Sequence, residues 1–94
     1  MSKVIDAALA GLQAKGATFD AVAKFVFEGE GSIMLDEHGP RAGDDPADVT
    51  LTATTEVFQS LLAGELSATT AFMTGKLAVD GSMGLAMKLG QALS

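Results

Sequence analysis

The side chains that could do chemistry here are few and poorly placed for it. His38 is the only histidine and there is no cysteine. Thiolate catalysis, disulfides and cysteine-based zinc sites are therefore excluded, and one imidazole does not make a structural zinc site. The acids Asp44, Asp45 and Asp48 fall in the run Asp-Asp-Pro-Ala-Asp. That run has neither the alternating ligand spacing nor the closing glutamate of a calcium loop, so it reads as a solvated loop. Serines and threonines are numerous, but no Gly-x-Ser-x-Gly elbow accompanies the single histidine. No catalytic residue, metal site or cofactor is expected, and the chain reads as a non-enzyme.

What the chain has in place of reactive groups is soft apolar surface. Thr70 to Leu89 reads TAFMTGKLAVDGSMGLAMKL. Phe72 and Met73 end a short helix at Gly75, a brief strand follows, and the chain turns at Gly81-Ser82 into a helix bearing Met83 and Met87. Unbranched, polarisable methionines suit a pocket that must fit an apolar ligand of variable shape.

Ninety-four residues make one domain spanning 1–94, with 48% apolar residues and only 19% charged. The formal charge is −6. Seven of the twelve acids lie between Glu28 and Asp48, against Arg41 alone. Such a surface repels phosphate backbones and anionic headgroups, which argues against nucleic acid as a partner. No apolar run approaches the ~20 residues of a membrane span, so no stable membrane insertion is expected. The N-terminus does not read as a signal peptide, and the chain ends Ala92-Leu93-Ser94 without the peroxisomal Ser-Lys-Leu ending. A cytoplasmic protein is the expectation.

The elements that must position these groups follow from periodicity. Val4, Ile5, Ala8, Leu9 and Leu12 share one helical face, with Ser2 as N-cap and Gly16 just past the end. From Val22 the period becomes two. With Gly29-Glu30-Gly31 as a three-residue loop, Phe27 faces Ile33, Phe25 faces Leu35, and Val26 faces Met34. Short strands follow around Arg41 and from Asp48 to Ala53. Thr54 or Thr55 caps a helix bearing Val57, Phe58, Leu61 and Leu62, which ends near Gly64. The order α-β-β-β-β-α-α-β-α predicts an α+β fold: a five-stranded, mostly antiparallel sheet covered on one face by helices.

Several segments together resemble the sterol carrier protein type 2 family. Phe25-Val26-Phe27 before a glycine-rich hairpin is similar to the family's first strand. Asp48-Val49-Thr50-Leu51-Thr52, then Phe58 and Leu61-Leu62-Ala63-Gly64-Glu65, is similar to its fourth strand and the helix after it. Ala71-Phe72-Met73-Thr74-Gly75-Lys76-Leu77 with Gly81-Ser82-Met83 is similar to its most recognisable stretch. The resemblance covers most of the chain. It implies a curved five-stranded sheet with an apolar tunnel between sheet and helices, which holds a fatty acid, acyl-CoA, phospholipid or sterol without catalysis.

Candidate ligand contacts on the sheet are Phe25, Phe27, Leu35 and Leu51. On the helices they are Phe58, Leu62, Phe72, Met73, Met83 and Met87. The chain is expected to be a monomer or a weak homodimer, the latter through Val26 and Met34 on the sheet's outer face. The alternative reading is an interaction module of the same fold, without a cavity, that docks a partner protein.

Overall fold

The computed structural model describes residues 3–93. Ser2, the expected cap of the first helix, lies outside the described residues. The elements are α1 (Lys3–Ala14), β1 (Ala23–Phe27), β2 (Gly31–Asp36), β3 (Gly39–Ala42), β4 (Val49–Ala53), α2 (Thr55–Leu62), α3 (Ala68–Met73), β5 (Ala78–Gly81) and α4 (Met83–Leu93). The five strands form one mixed sheet in the order β3-β2-β1-β4-β5. Three neighbouring pairs are antiparallel and the central pair β1–β4 is parallel. This is the expected α+β architecture.

The first hairpin differs from the expected register by two residues. Phe27 pairs with Gly31, Phe25 with Ile33 and Ala23 with Leu35. The loop is Glu28-Gly29-Glu30, closed by the Glu30 N–H donating to the Phe27 carbonyl at 2.9 Å. Gly29, at φ 77°, occupies the left-handed position that such a turn reserves for glycine. A shift of two preserves the side on which every residue points, so the core face is as expected.

That face carries the core. Ala23, Phe25 and Phe27 of β1, Ile33 and Leu35 of β2, and Val49, Leu51 and Ala53 of β4 are buried against the helices. α1 contributes Ile5, Ala8 and Leu12, while α2 contributes Phe58 and Leu61. The Phe58 ring stacks on Phe27, with centroids 4.3 Å apart, and meets Phe25 edge-on at 5.9 Å.

The outer face corrects a second expectation. Met34 points away from the helices yet has no exposed surface. The acidic loop after β3 folds back over it. A Cβ at Gly43 would sit 3.2 Å from the Met34 side chain, and Ser32 Oγ donates to the Gly43 carbonyl at 2.6 Å. Lys24 Nζ bonds Asp44 at 2.8 Å, and Arg41 lies 3.8 Å from Asp45. Met34 is therefore covered within the chain and does not join Val26 in an exposed patch.

Candidate ligand groove

The segment that builds the site is stitched by local hydrogen bonds. Ser67 caps α3 by accepting from the Thr70 N–H at 3.1 Å. α3 ends with Gly75 at φ 77°. There the Lys76 N–H donates to the Ala71 carbonyl at 2.8 Å and the Gly75 N–H to Phe72 at 3.1 Å. This paired closure turns the chain sharply back towards the sheet, and Leu77 is buried as the chain enters β5.

Gly81 ends β5 at φ 104°, where a Cβ would collide with the Asp48 backbone. Ser82 then caps α4, its hydroxyl accepting from the Leu85 N–H at 3.3 Å. Leu89, fully buried, anchors α4, and Gly90 lets α3 come close: a Cβ there would be 2.9 Å from that of Ala68.

Between these elements lies a cavity of about 440 Å³, within the ~300–1,000 Å³ range of small-molecule pockets. Leu51 and Val79, cross-strand partners on β4 and β5, form its floor with Leu77. Leu61 and Leu66 close the α2 end. Ala68, Phe72 and Met73 of α3 face Met83, Ala86, Met87 and Gly90 of α4. Among the described residues the polar lining is Ser67, Thr69 and Gln91, and no ionisable side chain lines the cavity.

On the floor Leu51 and Leu77 are buried and Val79 partly so, whereas at the rim Phe72 is 41% exposed, Met73 78%, Met83 46% and Met87 62%. The cavity therefore opens to solvent between α3 and α4.

Leu51, Phe72, Met73, Met83 and Met87, all expected as ligand contacts, line this cavity. Phe25, Phe27, Leu35 and Phe58 are buried in the adjoining core, and Leu62 packs against that core; none of the five is among the lining residues. Sequence reasoning did not single out Leu61, Leu66, Ala68, Ala86 or Gly90 as ligand contacts. Leu66 falls in a linker with no periodicity to expose it, and the small residues line the cavity because α3 and α4 pack closely there, which only the tertiary structure reveals.

Elsewhere, two acids have lowered pKa values. The hydrogen bond from Lys88 at 3.0 Å, aided by its charge, holds the Asp20 carboxyl below its usual range. The hydrogen bonds from Arg41 and from the His38 backbone N–H do the same for Asp36. His38 is exposed beside Glu37, 3.6 Å away. Among the described residues no group of acids and histidines could hold a metal ion, and no helix is long and apolar enough to cross a membrane.

The profile of the SCP-2 sterol transfer family matches residues 3–94, and the chain belongs to that family. Its domain is a lipid-binding and lipid-transfer fold. Sterol carrier protein 2 of Homo sapiens is 39% identical over 64 residues, covering 68% of this chain and 11% of that protein. The peroxisomal multifunctional enzyme A of Dictyostelium discoideum is 41% identical over 76 residues, covering 81% of this chain and 16% of the enzyme. The chain thus spans a small part of these relatives, one of which is an enzyme. The same fold occurs in sterol carrier protein 2 of Aedes aegypti, solved in complex with the C16 fatty acid palmitate. That structure has TM-score 0.77 and 23% identity, and the match covers 100% of this chain and 97% of that one.

Proposed function

We propose that this domain binds an apolar ligand (fatty acid, acyl-CoA, phospholipid or sterol) in the groove between β4–β5 and α2–α4. It then carries that ligand through the cytoplasm as a monomer, without chemistry of its own. The observation that supports this most directly is the cavity of about 440 Å³ with no ionisable lining residue among those described. The palmitate held by the Aedes aegypti protein of the same fold agrees with it.

Each methylene moved from water into the groove contributes about 0.8 kcal/mol. A long acyl chain therefore has ample driving force even when its rim-side atoms stay wet. Thr69 offers a hydroxyl to a headgroup, while the Ser67 hydroxyl is held by Thr70. The open space beside β4–β5 favours this reading over a cavity-less docking module of the same fold.

Native mass spectrometry of freshly purified protein, with its organic extract analysed in parallel, tests the reading. The expected result is an adduct that disappears on extraction, or one that forms on adding palmitate or lysophosphatidylcholine. A bare chain mass that ignores both lipids refutes it.

A further inference from the structure

The two edges of the sheet are guarded unequally. β3, at one end of the strand order, includes Pro40, a residue without an N–H, and α1 packs beside it. Proline and a covering helix both discourage an edge strand from pairing with another chain. β5, at the other end, contains no proline and has no strand beyond it among the described residues. Its Ala78, Asp80 and Gly81 are exposed.

The charges along this open edge are symmetric about its first residue. Lys76 stands two residues before Ala78 and Asp80 two after, and both are exposed. Neither forms an ion pair among the described residues. Ala78 and Asp80 pair with Thr52 and Thr50 of β4, so their side chains leave the sheet on the face away from the helices. Val79, on the other face, lines the groove with Leu51 and Leu77. Alternation continued backwards puts Lys76 on the side of Ala78 and Asp80.

We propose that β5 is a self-pairing edge: it joins antiparallel to β5 of a second copy about a two-fold axis at Ala78. Lys76 of each copy then stands opposite Asp80 of the other, so the ion pair forms twice on the outer face. Leu77 meets Val79 on the helix side. Gly75 meets Gly81 at the two ends, where no side chain crowds the approach. Centring the pair on Asp80 instead sets that acid against itself, and centring it on Val79 leaves both charges unopposed. Charge therefore selects one register.

A second copy is the occupant this edge fits, because a two-fold contact needs a strand complementary to itself. The two sheets become one continuous sheet with both helical layers on the same side. Each groove then borders the junction, since Leu77 and Val79 belong to both. β5 is only 4 residues long, so the contact falls well short of the ~1,200 Å² of a stable interface. The dimer is therefore transient, and the free chain remains the carrier.

Sedimentation velocity over a concentration series reaching millimolar reads this association directly. The wild type should shift towards the dimer at the top of the series. Lys76→Asp and Asp80→Lys should each lose that shift, because each sets like charges opposite one another twice. The double swap Lys76→Asp/Asp80→Lys should restore it. An equimolar mixture of the two single variants should restore it as well, since one copy then carries two acids and the other two lysines. Glu37→Lys, in the turn between β2 and β3, should leave the shift unchanged.

A wild type that stays monomeric throughout the series overturns the proposal. A dimer that survives both single reversals overturns it too, as do a double swap and a mixture that both stay monomeric.

Discussion

Replacing Ala86 with phenylalanine puts a ring into the groove from the α4 wall. Ala86 is nearly buried and lines the cavity of about 440 Å³. Fully burying a phenylalanine contributes about 2–3 kcal/mol; with one side of the groove open, roughly half of that, about 1–1.5 kcal/mol, is expected. In a domain of this size each kcal/mol moves the melting temperature by about 4–8 °C, so the empty variant should melt about 4–12 °C above wild type.

Lipid at a hundred times its Kd should stabilise wild type by about 2.7 kcal/mol, or roughly 10–20 °C, and that increment should vanish in the variant. Calorimetry with and without palmitate measures both effects. Met34→Ala supplies the contrast. It removes a fully buried side chain on the other face of the sheet, should cost about 2–5 kcal/mol, and should leave the lipid increment intact. An Ala86→Phe protein that melts lower than wild type and still responds to lipid would refute the placement of the ligand in this groove.

Phe58→Ala deletes the ring that contacts both Phe27 and Phe25. It should cost about 3–5 kcal/mol in urea unfolding, a large share of the ~5–14 kcal/mol available to a chain of this length. Gly81→Ala meets both a left-handed φ and the Asp48 backbone; a loss of more than ~1 kcal/mol is expected, with faster amide exchange in β5. Asp36 has its pKa held below the usual value of 3.8 by Arg41. Its contribution is therefore complete above that value and lost as pH falls through the lowered one. Acid unfolding curves of Asp36→Asn should show a shallower drop below about pH 4 than wild type.

The faces of the strands were readable from alternation alone, because burial on one side imposes a period of two. The same symmetry hid the exact register: a hairpin shifted by two residues satisfies alternation equally, and only the φ of Gly29 decides. Met34 shows a different limit. Its period assigns it correctly to the outer face, yet its burial comes from the Gly43–Asp45 loop, whose acids look solvated until Lys24 and Arg41 draw them across the sheet. At the groove, large apolar residues announce themselves in the sequence while empty space does not. Phe25, Phe27 and Phe58 satisfy one another in the core. The cavity instead opens beside Ala86, while Ala68 and Gly90 bring α3 and α4 into close contact at its edge.

The parallel β1–β4 pair has a kinetic consequence. β1, β2 and β3 form from contiguous chain with short turns, whereas β4 reaches the far side of β1 only after the connection through residues 43–48 has crossed the outer face. Long-range pairing of this kind closes late. Everything that forms the groove (Leu51 on β4, Val79 on β5, and α3 and α4) belongs to the late half of the chain. A bound lipid therefore grips contacts not yet made at the folding barrier. It should lengthen the lifetime of the native state by slowing unfolding, while the refolding rate stays nearly unchanged.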